Sequence, residues 1–253
     1  VTLFQRQGRR SVPTPSGKLL LEEGRKILHA STLLADQVKE LETGWEPKLN
    51  IGIEATTETT PFYQALGVLL DEHPQLEVDI QECVLNGGWE KLDFDEIDLL
   101  VGAPGPTPRQ KGFRAIPIPP TDMVLVAAAN HPLGNVASDK SLVDKQLATC
   151  RRVVSHDTAR KEIVRSVGLT LGKQVLYVQT MEQKIQAQLA GLGIGHLPRK
   201  LIQEHLGSGR LVELATSTPS TQNQPCYLAW KISHKGKALK RLTQLLSVEF
   251  NGV

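Results

Sequence analysis

The residues best placed to do chemistry in this 253-residue chain are short polar or small clusters at the ends of apolar runs. Ala55, Thr56, Thr57 and Glu58 follow LNIGI. Gly102, Ala103 and Pro104 follow DLLV. Ser155, His156 and Asp157 follow VV, and Gln179 and Thr180 close QVLYVQT. Hydroxyls, amides and small residues at the C-terminal ends of strands, beside the free N–H groups of the next helix, can hydrogen-bond a small ligand. The same residues have structural uses: Thr56 and Thr57 can cap the next helix, Gly102 to Pro104 can make a turn, and Thr180 with Gln183 has capping-box spacing. Both uses can coexist, and His156 is the imidazole expected to touch a ligand.

Other chemistry is poorly supplied. His73 and His131 each precede proline and read as helix-end or turn residues; His29, His205 and His234 have no cluster spacing, so no metal is expected. Cys83, Cys150 and Cys226 are odd in number and far apart, so neither a disulfide framework nor a CxxC site follows, and each is expected buried and reduced. There is no GxSxG elbow, P-loop or GxGxxG after a strand; the chain is expected not to be an enzyme and to need no cofactor. No apolar run reaches the eighteen residues of a membrane span and the first residues lack signal-peptide character, so a cytoplasmic protein without membrane contact is expected. Trp45 and Trp89, each in a GWE triplet, and Trp230 are expected to pack, with Trp89 nearest any cleft.

The elements that must position these clusters fall into two kinds. Thr14 can N-cap a helix that begins with Pro15, and Gly44 stands where a C-terminal glycine ends one, so residues 15 to 43 make one long helix. Leu20, Gly24, Ile27, Ser31, Leu34, Val38 and Leu41 alternate spacings of four and three along it. This is a heptad seam that calls for a partner, either the helix's own domain or, with Gly24 and Ser31 permitting close approach, a second subunit. After residue 48 short β-rich runs alternate with helices: strands near 49–55, 75–83 and 98–103 enclose helices near 60–73 and 87–94. A second such unit runs from strand 122–128 through 153–156, a helix at 158–168, strand 174–179 and a helix at 180–192 to 193–197. Strand 226–232 and helix 235–250 close the chain. The pattern predicts an α/β fold of two Rossmann-like lobes with mostly parallel sheet. The chain passes between the lobes twice, near 117–124 and 222–228, which makes a hinge. Arg6, Arg9 and Arg10 concentrate positive charge in the first ten residues of a chain whose net charge is +2. Such a cluster can meet phosphates.

These residues carry a family resemblance. VTLFQRQGRRSVPTPSGKLLLEEGRKIL is similar to the stretch of LysR-type transcriptional regulators in which a phenylalanine and arginines form the wing of a winged helix-turn-helix, followed by a T-x-x-G turn and a linker helix. Leu3, Phe4, Arg6, Arg10, Thr14, Gly17, Leu20 and Leu21 carry that match. LNIGI, EHPQLEVDIQE, EIDLLVGA, VLVAAANHPLG, QAQLAGLGIGHLPRKLI and GRLVEL extend it over nearly the whole chain.

The resemblance implies a wing remnant at 1–14 with Arg6, Arg9 and Arg10 on double-stranded DNA; the helices that would precede Val1 and read an operator are expected to be missing from this chain. It implies a dimerisation helix at 15–48 using Leu20, Ile27, Leu34, Val38 and Leu41. An effector-binding domain at 49–253 follows, of the periplasmic-binding-protein type II kind, with lobe I at 49–121 and 229–253 and lobe II at 122–228. The effector, an aromatic compound or a small acid, would bind between the lobes and bias a homodimer or homotetramer. Arg160 and Arg109 are weak candidates to hold an acid. His196 stands where the family usually has an apolar or small residue, in the GLGI-x-x-LP turn, and joins the effector candidates. A periplasmic-type solute-binding protein is the alternative, but the heptad helix and the arginines do not suit one.

Overall fold

The structure, a computed structural model, describes residues 1–7, 10–108, 112–159, 174–217 and 222–251. It divides into two compact units, Val1–Lys48 and Leu49–Val253.

In the first unit, strands β1 (Phe4–Gln7) and β2 (Arg10–Pro13) form an antiparallel hairpin, and α1 spans Pro15–Thr43. The Thr14 hydroxyl accepts the Gly17 N–H at 3.1 Å and donates to the Thr2 carbonyl at 2.8 Å, so one side chain caps the helix and ties it to the hairpin. Gly17 must be glycine, because a Cβ there would lie 2.0 Å from the Leu3 carbonyl oxygen. At the other end Gly44 takes φ +73°, the left-handed conformation that glycine supplies without strain. Arg6 and Arg10 are exposed on the hairpin, while Arg9 lies outside the described residues. Along α1, Leu20, Ile27, Leu34 and Val38 are 52 to 69% exposed; the Leu41 side chain lies outside the described residues.

The second unit starts as expected. β3 (Lys48–Glu54), α2 (Thr60–Glu72), β4 (Glu77–Cys83), α3 (Asn86–Asp93) and β5 (Leu99–Pro104) follow one another, with β3 and β5 paired in parallel. β6 (Phe113–Ala128) leads to α4 (Lys140–Leu147), whose N-cap Asp139 accepts the Leu142 N–H. β7 (Arg152–Ser155) and β8 (Val175–Val178) pair in parallel, and α5 (Met181–Leu189) and β9 (Gly195–Pro198) follow. The chain ends with α6 (Gln203–Gly207), β10 (Leu211–Glu213), β11 (Gln222–Lys231) and α7 (Lys237–Asn251). The helix expected at 158–168 falls outside the described residues from 160 onward, as do Arg109 and Arg160.

The sheet is mixed rather than mostly parallel. Its order is β10-β6-β11-β5-β3-β4, with β9 also on β6, and β11 runs antiparallel to both β5 and β6. The two passages between lobes are these long strands β6 and β11, which carry the main sheet from one lobe into the other, while β7 and β8 form a separate two-stranded sheet. Pro117, Pro119 and Pro120 disguise the first half of β6 as a loop. They are tolerated because this stretch pairs on one side, with β11. The second half is buried on both faces, as its unbroken run Met123 to Ala128 anticipates: Val124 and Val126 pack with Met181, Ile185 and Leu197, while Leu125 and Ala127 pack with Leu133, Val143 and Ile194. A separate core of Cys83, Trp89, Leu92, Ile97 and Leu100 holds the first lobe. Burial pushes the Cys83 thiol up to about 12, so it is an inert thiol in that core. Among the described residues, no helix is long and apolar enough to cross a membrane.

Candidate functional site

β3 delivers Glu54, Ala55 and Thr56 to its C-terminal end, and the turn is closed by Thr57 N–H on the Glu54 carbonyl at 2.8 Å. β7 delivers Arg152 to Ser155, the first turn of α5 delivers Met181 and Lys184, and the start of β9 delivers Gly195 and His196. With Val84, Leu85, Met123, Ile194 and Gln224 these residues enclose one cavity of about 90 Å³. At roughly 10–15 Å³ per water-sized occupant, it holds about six to nine such positions, the size of a small metabolite.

Its electrostatics are uneven. Glu54 is 3% exposed; its Oε1 accepts the Leu85 N–H at 3.3 Å, and Oε2 is buried with no hydrogen-bond partner. Burial, aided by the negative charges of Asp157 and Glu82, holds its carboxyl well above the usual carboxylate range, and the Leu85 N–H opposes this only in part. Leu85 itself adopts φ +55°, an uncommon conformation for a leucine, at the bend that points this N–H at Glu54. Lys184 lines the cavity, and burial alone lowers its ammonium to about 8. Its stem passes over Gly195, where a Cβ would lie 2.8 Å from the Val153 carbonyl oxygen and 3.6 Å from Lys184 Cε. Arg152 is 7% exposed and is also depressed by burial. The Ser155 hydroxyl is buried without a hydrogen-bond partner. One acid, two bases and a hydroxyl therefore meet on a mostly aliphatic wall.

The two lobes touch beside this cavity, at its lining residue Val84. The Asp157 carboxylate accepts the Gly87 N–H at 3.1 Å; the Thr158 hydroxyl accepts the Val84 N–H at 3.1 Å and donates to the Val84 carbonyl at 3.2 Å. Lys200 pairs with Glu58 at 2.7 Å.

Of the expected contacts, the cavity gathers Ala55, Thr56, Ser155 and His196. The others lie elsewhere. The Thr57 hydroxyl is buried over Gly102, whose φ of +77° and missing Cβ make room for it. Ala103 belongs to the first-lobe core, and the Pro104 carbonyl accepts Trp89 Nε1–H at 2.9 Å, which also places Trp89 in packing rather than at the cleft. His156 is exposed and stacks on Tyr177 with ring centroids 4.6 Å apart. Gln179 is exposed, its N–H on Gln183, and Thr180 and Gln183 form the capping box. Sequence reasoning missed Glu54, Arg152 and Lys184. The one available signal was an acid ending an otherwise apolar strand.

The fold is that of a two-lobed α/β domain of the periplasmic-binding-protein type II class. The LysR substrate binding domain model matches residues 42–250, and the chain belongs to the LysR family of transcriptional regulators, with an effector-binding domain and not an enzyme. It is similar to the uncharacterized HTH-type transcriptional regulator YeeY of Escherichia coli K12, 29% identical over 94% of this chain and 76% of that protein. It is similar also to the probable HTH-type transcriptional regulator YhaJ of Escherichia coli K12, 31% identical over 100% of this chain and 83% of the relative. Among solved structures, the effector binding domain of QuiR in complex with shikimate shares the fold, with a TM-score of 0.61 at 15% identity over 81% of this chain and 97% of that one.

Proposed function

We propose that this chain senses a small organic acid in the cavity between its lobes and passes the resulting closure, through a homodimer or homotetramer, to DNA-bound heads that control transcription. The observation that carries the reading is a metabolite-sized cavity holding Lys184 with no hydrogen bond or ion pair among the described residues, and Arg152 buried beside it. A buried ammonium in a low-dielectric pocket favours a carboxylate. The relatives' names, which are those of helix-turn-helix regulators, support DNA as the second partner, with Arg6, Arg9 and Arg10 of the wing on phosphates. The lobe boundaries at 121/122 and 228/229 lie within β6 and β11, so bending of these two strands is the natural hinge. Effector can shift the equilibrium only by as much as its affinities for the open and closed shapes differ. Among the described residues, the lining contains no aromatic ring other than the His196 imidazole, which favours a small acid over an aromatic compound.

A thermal-shift screen of small organic acids tests the reading: a ligand that binds only the folded state stabilises it by roughly 2.7 kcal/mol at a hundredfold excess over Kd. A structure-dependent shift, with a change in small-angle scattering at the same concentration, is the expected result; no shift from any acid would remove the effector reading. The linker supplies an independent test. Ile27→Lys with Leu34→Lys puts charge into the exposed seam of α1 and is expected to lower the molecular mass measured by light scattering. An unchanged mass would place the interface elsewhere.

A further inference from the structure

The cavity holds more than an anion requires. Beside Lys184 it contains a buried acid, Glu54, and among the described residues these two do not satisfy one another. Glu54 is held by the Leu85 N–H at Oε1 alone, and the charges that act on it are those of Asp157 and Glu82, not of Lys184 or Arg152. Among the described residues no carboxylate acts on Lys184. Glu54 Oε2 and the Ser155 hydroxyl are both buried without partners. Buried polar groups in folded proteins are nearly always hydrogen-bonded, so two unsatisfied ones carried by residues that line one cavity point to a ligand that settles against them. A simple carboxylic acid answers Lys184 and leaves Glu54 unanswered. A ligand with a carboxylate at one end and an ammonium at the other answers both. The remaining wall, including Val84, Met123, Val153 and Ile194, is aliphatic and the volume is small.

Resting on the proposed effector site, we infer that the effector is a small zwitterion, an aliphatic amino acid of about three to six carbons. Its carboxylate meets the Lys184 ammonium and its ammonium meets Glu54 Oε2, with the Ser155 hydroxyl between. The protein's own acid and base are thus kept apart by structure and bridged by ligand. This arrangement rejects both the plain acid and the plain amine, because each leaves one buried group unpaired.

The test is isothermal titration of the full chain with matched probes: alanine, valine and leucine in both enantiomers, 4-aminobutyrate, 5-aminovalerate and 6-aminohexanoate, each beside its desamino acid and its decarboxylated amine. At least one amino acid is expected to bind tenfold or more tighter than both of its truncated partners. In Glu54→Gln, which keeps the shape and an acceptor for the Leu85 N–H, the preference for that amino acid over its desamino acid is expected to fall below threefold. Melting curves establish that the variant is folded; should it not be, the wild-type comparison decides alone. Desamino acids binding as well as or better than every amino acid would overturn the zwitterion and leave the acid-sensing site standing. An amino-acid preference that survives intact in folded Glu54→Gln would equally remove Glu54 as the recognising group. No binding by any acid, with or without an amino group, would overturn both.

Discussion

Lys184→Met is expected to make the protein more stable at pH 7 and to weaken effector binding. The ammonium sits in the cavity with its titration lowered to about 8 from an ordinary 10.5, because burial disfavours its charge. The folded state therefore binds this proton less tightly than the unfolded chain, and below pH 8 both states carry it, so the folded state bears the full cost. The shift corresponds to about 3 kcal/mol at 1.36 kcal/mol per pH unit. As the pH rises from 8 toward 10.5 the folded state gives up the proton first, and the cost disappears. Methionine keeps the unbranched stem over Gly195 without the charge. The variant should melt about 6–12 °C above the parent at pH 7, and the gap should close as the pH rises through 8 to 10.5. Its affinity for an acid should fall by about ten- to a hundredfold, the worth of one charge-assisted hydrogen bond. Calorimetry at the two pH values reads the first effect and titration the second. A variant less stable than the parent at pH 7 would mean that the ammonium is solvated or paired, and that its role in the cavity is misassigned.

Gly87→Ala is expected to spoil lobe closure while leaving the first lobe intact. Gly87 is in the first turn of α3, where alanine is the better helix former by about 1 kcal/mol, so the helix itself tolerates the change. Across the cleft, however, the new methyl would lie 1.9 Å from the Thr158 hydroxyl oxygen and 2.6 Å from the Thr158 carbonyl carbon. The second of these is backbone, which cannot swing aside. The segment carrying Asp157 and Thr158 must retreat, and its hydrogen bonds to Val84 and Gly87 are lost. At about 0.5–1.5 kcal/mol each, the loss of several costs at least about 2 kcal/mol in closure, or about thirtyfold in the affinity of any ligand that needs the closed form. The expected readout is weaker effector binding with a larger radius of gyration and an almost unchanged melting temperature. Unchanged affinity and unchanged scattering together would show that the 157–159 segment adjusts locally and does not govern closure.

The contrast between these two sites and the strand-end clusters shows how far residue order reaches. Local chemistry was legible. Thr14, Pro15 and Gly44 bound α1 to the residue, because capping hydroxyls, a proline at the first position and a glycine at positive φ act over three or four neighbours. The Thr180–Gln183 box and the buried run in β6 are equally local signals. The α/β class, the two passages between lobes and the motif-borne membership of the LysR family were also present in the one-dimensional pattern.

Which strand ends are open was decided only in three dimensions. Gly102, Ala103 and Pro104 are a strand end of the expected kind, but β11 returns from 120 residues further along and pairs Tyr227 with Ala103 and Cys226 with Pro104, closing the space. The Thr57 hydroxyl then fills what Gly102 leaves. Conversely, Glu54 ends β3, Arg152 begins β7 and Lys184 lies in α5. They become cavity groups because β3, β7, α5 and β9, from distant parts of the chain, bring their ends together. Burial is a property of that assembly, and it is burial that raises the Glu54 carboxyl and lowers the Lys184 ammonium.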